Sequence, residues 1–195
     1  MKKNEIFYDE ALILKKNEDF FIGISKNYGK VFFSSAGISK KYSGLSKNFY
    51  IKYNLEKVYN SNKKIIIYPD NINLESYLLD NKFFYFSDFI NFILLEFHLS
   101  GFPNEKIWNI LSEIKDEKKF ENILEKLILI FIELCDFLET SFLKKILNNK
   151  NYLENLKNNS FLEIKYLFEK DLEKIFDREE KIIFGKKLLS NIFNF

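Results

Sequence analysis

The chain has 195 residues, 47% hydrophobic and 30% charged, with a formal net charge of +2, enough to bury the core of one ordinary domain or two small ones. Cys135 is the one cysteine, which excludes an intramolecular disulfide. No apolar signal segment follows Met1, and the longest apolar run of the C-terminal half, Leu127 to Ile132, is too short for a bilayer, so the expectation is a soluble cytoplasmic protein with no membrane role.

Charge divides the chain. Up to Asp80 there are 13 lysines against 9 acids, net +4, and beyond it 17 basic residues against 19 acidic, net −2. Nine lysines and one acid, Glu56, lie between Lys26 and Lys64, interleaved with Tyr28, Phe32, Phe33, Tyr42, Phe49, Tyr50, Tyr53 and Tyr59. Cations neutralise phosphates and rings stack on exposed bases, so the mixture suits a surface for single-stranded nucleic acid. A solvated lysine face over an aromatic core reads the same way. The abundance of Phe, Ile, Asn and Lys is also what A/T-rich codons produce, so the rings count for less than their number.

The elements, in chain order, begin with strands. Ala11 to Leu14 is an apolar run, followed by the charged turn Lys15 to Asp19. Phe20 to Ser25 is extended, Asn27-Tyr28-Gly29 breaks it as a hairpin connection does, and Val31 to Ser34 resumes it. Phe49 to Leu55 alternates, and Ile65 to Tyr68 is a continuous apolar run closed by Pro69-Asp70-Asn71. Five short strands suit a small OB-like barrel, although an SH3-like barrel or an open meander would give nearly the same pattern.

The period then changes. Phe86, Phe89, Ile90, Ile93, Leu94 and Phe97 share one helical face. Ser100 to Pro103 ends that helix, and Ile107 to Ile114 marks a shorter one. Phe120 to Leu138 is longer and apolar nearly all round, which makes it the expected central helix. Ser160 with Glu163, and Asp177 with Glu180, read as capping boxes of two more, and Asn148 to Asn159 as a long connection. The predicted fold is therefore α+β: an N-terminal OB-like five-stranded β-barrel over residues 1–80, then an all-helical domain over 81–195.

No catalytic constellation is visible, and the expectation is a non-enzyme. His98 is the sole histidine and Cys135 sits on the apolar helix, so a four-ligand zinc site cannot be assembled and neither metal nor cofactor is expected. A Mg²⁺-dependent nuclease built on Asp70 with Glu113-Ile114-Lys115 or Glu163-Ile164-Lys165 would need acids to converge, and these lie on helices where acids and lysines alternate by default.

The order of the pieces resembles the bacterial DNA-repair mediator family RecO. Its pattern of A-x-V-L, then F-T-x-x-x-G-K, then A-K-G-A-R-[RK]-x-x-S-x-L has counterparts here. They are Ala11-Leu12-Ile13-Leu14, then Ile24 to Lys30, then Ser35-Ala36-Gly37-Ile38-Ser39-Lys40-Lys41-Tyr42-Ser43-Gly44-Leu45. Gly29-Lys30, Gly37, Lys40, Ser43 and Leu45 fall at matching spacings, and the family's helix order follows. Two departures stand out: Ala36 and Ser39 replace basic residues of the loop, and the four zinc-binding cysteines of many members are missing.

The resemblance implies binding of single- and double-stranded DNA, strand annealing, and help in loading recombinase on strands coated by single-strand-binding protein. The implied partners are a RecR-like protein and the C-terminal tail of single-strand-binding protein. Lys26, Lys30, Lys40, Lys41, Lys47 and Lys52 are the candidate DNA contacts, with Tyr42 and Ser43 on the same loop, while Phe32, Phe33 and Phe49 are expected in the barrel core. A different class has the same appearance: a small phage- or plasmid-type inhibitor that binds a host protein or its nucleic acid.

Overall fold

Four consecutive apolar residues in a strand need cover on both faces, and the fold is organised around providing it. The computed structural model describes residues 8–17, 20–34, 45–61, 64–79, 83–97, 102–135 and 161–194. Five strands, β1 (Tyr8–Lys16), β2 (Phe20–Ser25), β3 (Gly29–Ser34), β4 (Phe49–Ser61) and β5 (Lys64–Tyr77), pair in the order β1-β2-β3-β5-β4. Pairing of β1 with β4 closes them into a ring. Every pairing is antiparallel except β3 with β5. Helices follow: α1 (Phe84–Phe97), α2 (Glu105–Ile114), α3 (Phe120–Leu134), α4 (Phe161–Ile175) and α5 (Glu179–Phe193). The protein is thus α+β, with a β ring preceding helices, and no helix among the described residues is long and apolar enough to cross a membrane.

Alternation along β1 distributes its apolar run between two cores. Ala11 and Ile13 point into the ring, where they meet Phe21, Val31, Phe33, Tyr53 and Ile67. Leu12 and Leu14 point outward, with Ile24 and Tyr50, into the core formed by the helices. Tyr50 adds direction to this contact, since its hydroxyl donates to Leu111 O of α2 at 2.6 Å and its ring meets Trp108 edge-on at 6.0 Å. Helix α1 packs on β1, α3 and α5. Ile123, Leu124, Leu127, Ile128, Ile130 and Phe131 of α3, the expected central helix, have no solvent exposure, but α1 buries more of its residues and is the more enclosed of the two.

Three details differ from the sequence expectation. Strands β4 and β5 are far longer than their apolar cores, and Pro69-Asp70-Asn71 lies inside β5 rather than closing it. Register shifts at Asn54/Leu55 and Leu55/Lys57, opposite Pro69, interrupt the ladder where proline has no N–H to give. Asp177 does not cap α5: Arg178 occupies the N-cap without a side-chain bond, so the helix starts one residue later than the capping box requires. Asn104, unforeseen, caps α2 by accepting from Ile107 N at 3.0 Å. Ser160, His98, and the segments 136–160 and 35–44 lie outside the described residues.

One mouth of the ring is closed by a polar plug. Asp9 is 3% exposed, and its Oδ2 accepts from Ser25 Oγ at 2.5 Å and Tyr53 OH at 2.7 Å. Its Oδ1 accepts from Asn27 Nδ2 at 2.9 Å and from Glu10 N at 2.8 Å. Ser25 Oγ in turn accepts from the amides of Asn27 and Tyr28, which fixes the β2–β3 turn ahead of Gly29, whose φ is 66°. Burial, and then the charge of Asp9, push the Tyr53 hydroxyl well above the ordinary tyrosine range, so it remains a donor. Replacing Asp9 by Ala strands three side-chain donors, and equilibrium urea unfolding of the variant should show a loss of about 2–4 kcal/mol. Tyr53→Phe, which removes one donor and leaves the carboxylate otherwise satisfied, should cost about 1 kcal/mol in the same assay.

Candidate nucleic-acid interface

The outer surface of the ring has three flanks of different chemistry, set by cross-strand register. The first is apolar and covered by helices, as above. The second runs across β1, β4 and β5 and is mostly polar, with the exposed Tyr8 opposite Asn54 as an exception. There Glu10 faces Lys52, Lys52 faces Asn73, and Asn54 faces Asn71.

The third flank is aromatic. Ile22 on β2 faces Phe32 on β3, Phe32 faces Ile66 on β5, and Ile66 faces Tyr59 on β4. Four adjacent strands therefore carry one outward row, about 14 Å long at the usual strand spacing. Phe20 extends it, with its ring 5.7 Å from Phe32, and Tyr68 meets Tyr59 edge-on at 5.4 Å. Tyr59 is 52% exposed and Tyr68 38%, while Phe20, Ile22, Phe32 and Ile66 are half-buried. Lys64 Nζ stands 5.2 Å above the Phe32 ring. The row combines two exposed tyrosines with a cation over its Phe32 ring.

The lysines selected from sequence have other surroundings. Lys47 is bonded to Asp88 of α1 at 2.7 Å, and Lys52 lies between Glu10 at 3.8 Å and Glu75 at 3.6 Å. Lys30 donates its ammonium to Leu95 O near the end of α1, a helix with no basic residue in its own last turn. Burial holds Lys30 below the ordinary lysine range, partly countered by Glu96. Lys26 is exposed in the β2–β3 turn and has no acidic partner among the described residues. Lys40, Lys41, Tyr42 and Ser43 lie outside the described residues. The structure thus engages Lys30 and Lys47 with α1, sets Lys52 on the polar flank, and does not gather them on the aromatic row.

Phe33 belongs to the ring core as expected, and Phe49 is half-buried against it beneath Tyr77. Phe32 does not; it faces outward because Gly29, Val31 and Phe33 take the three buried positions of a six-residue alternating strand. Ile22, Ile66 and Tyr68 were missed for a related reason: the row exists only across four strands, and no window of sequence contains it. Lys64 was visible only as one member of the lysine-rich segment. Among the described residues no cluster of three or more His, Cys, Asp or Glu is placed to hold a metal ion. No family model matches this chain, and no curated protein matches it either.

Lys30→Met removes the donor to the Leu95 carbonyl and also the cost of burying an ammonium, so its net effect on stability at neutral pH should stay within about 1 kcal/mol. The pH dependence follows from its lowered pKa. Between the folded and unfolded values the unfolded chain binds more protons, so stability from this group rises with pH as it approaches the ordinary lysine value of 10.5. Urea unfolding of wild type and Lys30→Met across alkaline pH should show that rising component only in the wild type.

Proposed function

We propose that this chain is a non-enzymatic nucleic-acid-binding protein, with the aromatic flank of its ring as the contact surface for single strands. The row from Ile22 through Phe32 and Ile66 to Tyr59, with Lys64 over Phe32, carries this reading. Rings on a sheet receive unstacked bases without reading their sequence, and a neighbouring ammonium meets the phosphate. A duplex, whose bases are already stacked and paired, has nothing to offer the rings.

The finer fold reading supports the same use. Strand order β1-β2-β3-β5-β4, closed on itself with one parallel pair, is compatible with an OB-like barrel, a fold whose β2–β3 face and adjoining loops bind oligonucleotides. On the RecO-like reading the protein would anneal complementary strands and assist recombinase loading beside a RecR-like partner and single-strand-binding protein. Lys40, Lys41, Tyr42 and Ser43 fall in the sequence between β3 and β4, and on this reading they would add contacts, cationic at the two lysines, to the bound nucleic-acid strand.

Fluorescence anisotropy with labelled oligonucleotides tests the assignment. Tyr59→Ala with Tyr68→Ala should weaken single-strand binding roughly tenfold to a hundredfold while leaving the salt slope nearly intact, because stacking is lost and phosphate contacts are not. Lys64→Gln should lower the slope by about 0.7 with a smaller loss of affinity. Unchanged affinity in a folded Tyr59/Tyr68 double variant would remove this flank as the binding surface.

A further inference from the structure

A second candidate surface shares no residue with the aromatic row. Where the end of β1 and the segment before β4 meet α1 and α5, a groove of about 510 Å³ opens at the junction of ring and helices. Leu14, Phe92, Leu95 and Leu188 make it mostly apolar. Phe184 forms a wall, packed edge-on against Phe92 at 5.3 Å and still 50% exposed.

The rim carries both signs of charge. Lys47 is neutralised by Asp88, and Lys181 by Glu96. Lys15 on the ring side and Glu180 on α5 also line the groove, both exposed and neither with an ionic partner among the described residues. Asn91, on α1, is 4% exposed and also lines it. Its Nδ2 donates to Asn48 Oδ1 and, at 3.4 Å, to Leu14 O, but its Oδ1 has no hydrogen-bond partner. An acceptor without a protein partner at such depth is open to a donor from a bound group or from water.

We propose that this groove takes an extended peptide segment of a partner protein, with an aromatic or aliphatic anchor flanked by an acid on one side and a base on the other. The apolar floor holds the anchor, Lys15 and Glu180 receive the flanking charges, and a backbone N–H of the segment can supply the donor that Asn91 lacks. A hydrocarbon ligand would leave all three polar features unused. An extended peptide meets them together, because its N–H groups recur at every residue beside alternating side chains.

A phage-displayed library of random dodecapeptides, panned on the full-length protein, tests the proposal. Selected sequences should share an anchor between an acid and a base in a constant order, and synthetic copies should bind with anisotropy at least about tenfold weaker to Phe184→Asp. Lys15→Glu combined with Glu180→Lys, both surface changes, should invert the preferred order of charges. No enrichment over the Phe184→Asp protein, or a preference unmoved by the charge exchange, would overturn the proposal. So would either of two other occupants: a fluorescent naphthalene sulfonate that binds the groove while no peptide does, or self-association in sedimentation that Phe184→Asp abolishes. Oligonucleotide affinity measured on the same variants should stay unchanged, which separates this site from the aromatic flank.

Discussion

Burial of β1 on both faces is the constraint from which the rest follows. Ala11 and Ile13 require a ring to close over them, and Leu12 and Leu14 require helices to cover the outside. The ring alone would leave Leu12 and Leu14 in water, at about 1.5–3 kcal/mol each, and the helices alone would leave Ile13 at a similar cost together with Ala11. The ring and the helices are therefore joined by one strand's two faces, and Ile24 and Tyr50 on neighbouring strands continue the joint. Gly23 records how close the packing is, since a Cβ there would meet Leu12 O at 2.8 Å and Phe33 at 3.1 Å.

Once one flank of the ring is committed to helices, the other outward positions are free for different chemistry. The polar flank is filled by short-range ion pairs around Lys52, which contribute little stability because they are exposed. The aromatic flank is filled by side chains that could have been replaced by polar ones without opening the core. Retaining rings where a solvated strand face needs none is the physical argument for a binding role there. It is stronger than the lysine count, because lysines such as Lys30 and Lys47 turn out to hold the ring to α1.

Asn48 shows how a single loop residue can organise a junction. It adopts φ of 70°, which asparagine tolerates better than most residues. In that conformation its N–H donates to Ile13 O, its carbonyl accepts from Leu78 N, and its side chain accepts from Asn91. The start of β4, the end of β5, β1 and α1 are thereby tied at one point beside the groove. Nothing in the local pattern of Ser46-Lys47-Asn48 announces that role.

The amino-acid sequence by itself determined the class of the fold and most element positions, because alternation and 3.6-residue spacing are local consequences of which faces must be buried. Phe20 to Ser25, Ala11 to Leu14 and the face from Phe86 to Phe97 could be read directly for that reason. It did not determine strand partners, and the register decided what lies beside what. Phe32 and Phe33 are chemically identical neighbours, yet one enters the core and the other joins Ile22, Ile66 and Tyr59 across three other strands. The extent of β4 and β5 was hidden because the unforeseen half of each is mostly polar and is held by the apolar half of the other: Lys57 to Ser61 pair with Lys64 to Tyr68, and Asn71 to Tyr77 pair with Phe49 to Asn54. The same holds for charge: a lysine reads alike whether water, Asp88 or a helix carbonyl awaits it. Only the tertiary structure sets that partner, because it brings together residues dozens of positions apart.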